Sequence, residues 1–225
     1  MLDTIAATNA LDHLRDAIYA NRGRIALVSS FGTDSAVLLD MIARIDPGLP
    51  VIFLDTGRLF PDTIAYRNAL IARLRLSDVR TIRPDPAHLA RFDRDATLFA
   101  RDPDLCCTLR KTMPLDTALN GFDAWISGRK RNQSITRATI EAIETGPDGR
   151  SIINPLHDWT AADIEAYFTS RRLPRHPLQA DGFASIGCHT CTSRIQPGEN
   201  PRAGRWTGTT KTECGIFLAR PGIAA

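Results

Sequence analysis

The sequence predicts an α/β fold, a doubly wound and mainly parallel sheet covered by helices on both faces. Three observations carry the prediction. Short apolar runs stop after about four residues, stretches of helical period lie between them, and polar loops rich in Ser, Gly and Asp follow the first two runs directly.

Leu11, Leu14, Ala17 and Ile18 recur at helical spacing and Gly23 is a stop signal, so the chain opens with an amphipathic helix. Ile25–Val28 reads as a buried strand, followed by a loop over 29–35 and a helix with Val37, Leu38, Met41, Ile42 and Ile45 on its inner side. Val51–Leu54 repeats the strand signal, with a loop over 55–58, a helix over 62–74 and a strand over 79–82. Further strands are expected over 124–127 and 151–153. Thr160 with Asp163 has capping-box spacing, and the helix it starts carries Ile164, Tyr167 and Phe168 on one face and ends before Pro174. Beyond Pro174 Gly, Pro and Arg dominate and periodicity fades. Residues 1–173 are therefore read as the α/β domain, and 174–225 as a loop-rich segment with a mobile C-terminal tail that completes it.

A chain of 225 residues can bury one substantial core. Its 28 basic and 25 acidic residues leave a formal charge of +3, which demands neither nucleic acid nor an anionic membrane as partner. The start shows no basic segment followed by an apolar run, and the apolar stretches are far shorter than the roughly 18–20 residues that cross a bilayer. The expectation is a cytoplasmic protein with no membrane partner, its oligomeric state left open, a homo-oligomer included. In a reducing compartment clustered cysteines serve metals or catalysis more often than disulfides.

Ligands of doubly wound sheets bind at the carboxyl ends of the strands. The loop Ser29-Ser30-Phe31-Gly32-Thr33-Asp34-Ser35 offers hydroxyls, close backbone approach and the N–H groups of the next helix to an anion, although an ordinary strand-to-helix turn reads the same way. Leu54-Asp55-Thr56-Gly57-Arg58 is the second such loop. The run from Gly128 to Arg137 gathers four cations, as a solvated face or as a clamp for an anion.

Five cysteines divide four to one. Cys106 and Cys107 with Cys188 and Cys191 supply four thiolates, for a structural zinc or a [4Fe–4S] cube. Neighbours on a helix point about 100° apart, which suits two corners of a cube better than one small ion. A role as plain core residues for the first pair stays open. Cys214, in a polar segment, is either an incidental tail cysteine or a nucleophile in need of a nearby cation.

The loop Ser30-Phe31-Gly32-Thr33-Asp34-Ser35 resembles the Ser-Gly-Gly-x-Asp-Ser loop of the ATP-pyrophosphatase group, with Phe31 in place of the first glycine. The Phe31 side chain is expected to narrow the room for a pyrophosphate and to favour a smaller anion on an adenine nucleotide. Together with Leu54 to Arg58, Cys106-Cys107-x-x-Arg110-Lys111, Gly128 to Arg137, Ile153 to Trp159, Cys188-x-x-Cys191, Arg202-Ala203-Gly204-Arg205-Trp206 and Lys211-Thr212-Glu213-Cys214-Gly215, it resembles the thioredoxin-dependent sulfonucleotide reductases, specifically their iron–sulfur, adenylyl-sulfate-reducing branch.

That resemblance implies a sheet of the adenine-nucleotide type, with adenylyl sulfate held by Ser29, Ser30, Phe31, Gly32, Asp34, Ser35, Leu54, Asp55, Thr56, Gly57, Arg58 and Gly128. Lys111, Arg131 and Arg137 face its sulfate and phosphate. Cys106, Cys107, Cys188 and Cys191 ligate a [4Fe–4S] cluster. Cys214 attacks sulfur, AMP leaves, and thioredoxin frees sulfite from the S-sulfocysteine. The tail departs from the family pattern at Phe217, where histidine is usual. The runner-up resemblances are an iron–sulfur transfer-RNA thiolase and the same chemistry on 3′-phosphoadenylyl sulfate. A zinc module that binds a partner protein is the reading from another class.

Overall fold

The computed structural model describes residues 5–217. The first four residues, and the end of the expected C-terminal tail from Leu218 to Ala225, lie outside the described residues. Helix α1 (Ile5–Ala20) gives way to a turn in which Gly23 takes φ 76°, a left-handed conformation that glycine adopts without penalty. Strand β1 (Ile25–Val28), helix α2 (Ser35–Ile45), strand β2 (Val51–Leu54), helix α3 (Pro61–Leu74) and strand β3 (Val79–Ile82) then alternate as the apolar pattern predicts.

Between β3 and the next strand the chain forms four short helices, α4 (Pro86–Phe92), α5 (Leu98–Arg101), α6 (Pro103–Cys107) and α7 (Met113–Ala118), with a π-helical turn at Thr108–Thr112 between the last two. Strand β4 (Ala124–Ile126), strands β5 (Ile143–Thr145) and β6 (Ser151–Ile153), and helix α8 (Ala161–Arg171) complete the regular elements. The capping box of α8 forms as expected: Thr160 Oγ1 accepts from the Asp163 N–H at 3.2 Å and Asp163 Oδ2 accepts from the Thr160 N–H at 2.8 Å.

The strand order is β3-β2-β1-β4-β6-β5, every neighbouring pair parallel except β5 with β6. Leu27 pairs in register with Val51 on one side and with Ile126 on the other. The chain winds outward from β1 to β3 and returns to β4 at the other edge of β1, so the winding reverses between β1 and β4 and opens a crevice at their carboxyl ends. One face of the sheet is covered by α1, α2, α3 and α8 through Leu14, Val37, Leu39, Ile42, Leu70 and Phe168. The other buries Ala26, Ile52, Trp125 and Ile152 against Leu115 and Leu119 of α7. Burial on both faces explains why the strands read as unbroken apolar runs.

After Pro174 the chain makes 3-10 turns and two isolated antiparallel bridges, Leu59 with Cys188 and Thr192 with Arg205. The first ties the loop-rich segment to the loop that follows β2. No described helix is long and apolar enough to cross a membrane.

Candidate active site

The loops at the strand ends enclose a cavity of about 240 Å³ over the point where the winding reverses. From the loop after β1, Ser29, Ser30, Gly32, Asp34 and Ser35 line it. Asp34 is fixed by the buried Lys130, whose Nζ lies 2.8 Å from Asp34 Oδ2. Phe31 is placed differently from the expectation. Its backbone takes φ 50° and its fully buried ring packs edge-on against Phe53 with centroids 5.4 Å apart, so the ring fills core and does not narrow the cavity. An apolar ring gains more there than over a polar loop.

Leu54 and Thr56 line the cavity, whereas Asp55 and Gly57 border a neighbouring surface hollow where Asp55 Oδ2 meets Arg83 Nε at 3.1 Å. Arg58 lies against the cysteines described below. Gly128 and Arg137 line the cavity, but Arg131 turns away, its Nε donating to the Ile140 carbonyl at 2.6 Å and its Nη2 to Glu141 at 3.2 Å. Arg129, two residues earlier in the same cationic run, takes the place expected for Arg131.

Lys111, Arg129, Arg137, Arg202 and Arg205 line the cavity against two carboxylates, Asp34 and Glu213. Arg137 forks onto Glu213 through Nε at 2.6 Å and Nη2 at 2.9 Å, and Arg202 Nη2 reaches Glu213 Oε1 at 3.1 Å. The same oxygen accepts the Cys214 N–H at 2.8 Å. Burial works to raise the Glu213 pKa, but the hydrogen bond and charge of Arg137, with Arg202, hold it below the usual carboxylate value. Burial, helped by the charge of Arg137, lowers Arg202 to about 10. The Nε atoms of Arg129 and Arg202 are buried and have no acceptor among the described residues. Arg205 crosses the backbone at Gly187, where any side chain would collide with its guanidinium.

The cysteines gather at an adjoining pocket. Cys106 and Cys107 end α6, and the π-helical turn behind them presents Arg110 and Lys111; Cys188 and Cys191 bracket a 3-10 turn. All four line one small hollow together with Arg58, Arg110, Lys111 and Arg205. Cys106, Cys107 and Cys188 are buried and Cys191 is half-buried. Thr56 Oγ1 lies 3.2 Å from Cys188 Sγ, while Arg110 donates to the Thr56 carbonyl at 2.8 Å and pairs with the buried Asp93 at 2.5 Å. Among the described residues no three His, Cys, Asp or Glu side chains converge on one point as the ligands of a single ion do.

Cys214 joins the two pockets. It lines the large cavity, and its thiol lies close enough to that of Cys107 for the two to perturb each other. The neighbouring Cys107 thiol, with the charge of Lys111, outweighs burial and holds the Cys214 pKa well below that of an ordinary thiol, while Cys214 in turn, with burial, pushes Cys107 up. For Lys111, burial favours the neutral amine, yet the sulfurs of Cys188, Cys214 and Cys107 outweigh it and raise its pKa. Lys211, the cation nearest to Cys214 in sequence, instead pairs with Asp104. Phe217 lies in the cavity wall, stacked on Trp125 at 5.4 Å with the Arg129 guanidinium 4.0 Å above its ring.

Arg129, Arg202 and Arg205 are site residues that the sequence reading did not single out. Arg202 and Arg205 stand in a short motif whose signal was order along the chain, with no role attached. A thiol beside a lysine, at the edge of an arginine-lined crevice on a nucleotide-type sheet, agrees with what similarity shows. A protein of Mesorhizobium japonicum named adenosine 5'-phosphosulfate reductase is 50% identical over 195 residues, 87% of this chain and 76% of that one. One of Chelativorans sp. with the same name is 46% identical over 220 residues, covering 97% and 88%. The phosphoadenylyl-sulfate reductase of Candida auris, solved as a phosphate complex, superposes with a TM-score of 0.71 at 26% identity, over 85% of this chain and 93% of that one. Residues 24–194 match the phosphoadenosine phosphosulfate reductase domain, and the chain belongs to that family.

Proposed function

We propose that this protein reduces adenylyl sulfate to sulfite and AMP in sulfate assimilation, through an S-sulfocysteine on Cys214. The observation that carries the reading is the excess of cations lining the cavity, two of them with unpaired buried Nε donors, beside the Cys214 thiol. Such a wall suits a dianionic nucleotide, whose phosphate and sulfate supply the missing acceptors.

In this scheme the Cys214 thiolate attacks the sulfate sulfur, the S–O bond to the phosphate breaks, and AMP leaves with that oxygen. A dithiol protein such as thioredoxin then attacks the Cys214 sulfur. Sulfite departs, a mixed disulfide forms, and the donor's second thiol resolves it, so the two electrons come from the donor. Arg137, Arg202 and Arg205 orient the phosphosulfate, and Lys111 stabilises both the thiolate and the charge developing on sulfur.

Cys106, Cys107, Cys188 and Cys191 are the residues that hold a [4Fe–4S] cluster in this reading, supported by four thiols spread around one hollow among three arginines and a lysine. The cluster tunes the electrostatics of substrate binding and does not deliver electrons. With Cys107 committed as a ligand, Lys111 is the group left to stabilise the Cys214 thiolate. The four cysteines also favour adenylyl sulfate over its 3′-phosphorylated form.

Mass spectrometry tests the scheme. Incubation of anaerobically purified protein with adenylyl sulfate is expected to add about 80 Da at Cys214, removable by reduced thioredoxin and lost in Cys214→Ser. An adduct that survives in Cys214→Ser overturns the assignment, and faster labelling by 3′-phosphoadenylyl sulfate reverses the choice of substrate.

A further inference from the structure

Glu213 is an acidic side chain in a cavity otherwise built for anions. It is buried, and its two oxygens take Nε and Nη2 of Arg137 and Nη2 of Arg202. The remaining Arg137 nitrogen, Nη1, donates to Gln133 Oε1, so all three nitrogens of Arg137 have a partner. An incoming sulfate or phosphate has to compete with Glu213 for the Nε–Nη2 edge of Arg137, which the carboxylate already takes bidentately, and two buried anions side by side repel each other. Oε1 also accepts the Cys214 N–H. The group that occupies the arginines is thus the neighbour of the thiol and holds its backbone.

We propose that Glu213 is a positioning residue that stands in for the substrate's anion. Its carboxylate occupies Arg137 and Arg202 before substrate binds, yields them to the sulfate or phosphate oxygens, and by leaving releases the Cys214 segment to approach the sulfur. No bond is made or broken; one anion replaces another on the same donors, and arrival of the substrate is coupled to movement of the nucleophile. The inference rests on the reading of the cavity as an adenylyl sulfate site and adds the contact that the substrate has to displace.

The test measures anion affinity by calorimetry on the anaerobically purified holoenzyme, with inorganic sulfate, AMP and adenylyl sulfate as probes. Glu213→Gln keeps the shape and removes the charge. It is expected to bind sulfate and AMP about tenfold more tightly than the wild type, within the usual range of coupling between sites, while sulfonate transfer to Cys214 slows because the tail has lost its anchor. Glu213→Asp, with the charge kept, stays near the wild-type affinity. A purely structural glutamate would give unchanged or weaker binding in Glu213→Gln, and that result overturns the proposal. Should Glu213→Gln not fold, hydrogen exchange on the wild type decides: saturating sulfate raises exchange over residues 212–215, and unchanged exchange refutes the displacement. Tighter sulfate binding in Glu213→Gln together with no turnover of adenylyl sulfate by the wild type would leave the displacement standing and overturn the proposed function instead.

Discussion

Phe31 carries two structural tasks at once. Its backbone accepts a left-handed conformation that costs a non-glycine residue roughly 1–2 kcal/mol, and its ring offsets that by filling core beside Phe53. Phe31→Ala should therefore destabilise the protein by about 3–5 kcal/mol in urea unfolding, the usual loss for a buried phenylalanine. A loss below 1 kcal/mol would mean that the ring is not core. The sequence shows Phe31 in the loop but not its direction, because the sign of φ at a non-glycine leaves no trace in residue type. The same limit separates Arg129 from Arg131: within a cationic run, two residues at the entry to a 3-10 turn decide which guanidinium faces the cavity and which pairs with Glu141.

At the scale of elements, His176 joins α3 to the segment after α8. Its Nδ1 accepts the Leu178 N–H at 3.3 Å, so Nε2 carries the proton and donates to Thr63 Oγ1 at 3.0 Å, with Tyr66 packed on the ring at 4.9 Å. Burial lowers its pKa below the ordinary 6.5, against the pull of Asp62. Above pH 6.5 neither the folded nor the unfolded chain protonates this ring. Below it the unfolded chain takes up the proton first, so stability falls with pH until the depressed folded pKa is passed. The melting temperature is expected to drop between pH 7 and pH 5, and His176→Gln should flatten that slope; an unchanged slope would assign it to other groups. The long alternating elements were legible because burial on both sheet faces writes unbroken apolar runs. The helices from Pro86 to Ala118 were not, since none exceeds seven residues and a π-helical turn breaks their period. Strand β5, at the sheet edge with Ile143 exposed, carries no burial pattern to read.

Across the whole molecule, the cysteine pocket brings together two segments far apart in sequence, the turn after α6 and the bridge-tied loop at Cys188. For the proposed cluster, removal of iron by an anaerobic chelator should bleach the visible absorbance, expose four thiols to a thiol reagent and open residues 103–112 and 187–206 to protease, while the far-ultraviolet signal of the sheet persists. Global unfolding on chelation would instead make the cluster part of the core. The four-to-one division of the cysteines could be read from spacing and motif, but the meeting of Cys214 with Cys107 depends on where a loop-rich tail comes to rest, which no periodicity encodes. The placement of Phe217 has a mechanical consequence. Ile216 and Phe217 pack against the Trp125 side of the sheet, so once Glu213 lets go, the ring wedged between Trp125 and Arg129 remains as a pivot three residues from the thiol. Three extended residues span at most about 11 Å. In the proposed reaction Cys214 therefore swings on a short leash and stays inside the crevice, and a protein donor of the proposed kind has to bring its own sulfur in on a narrow protruding tip.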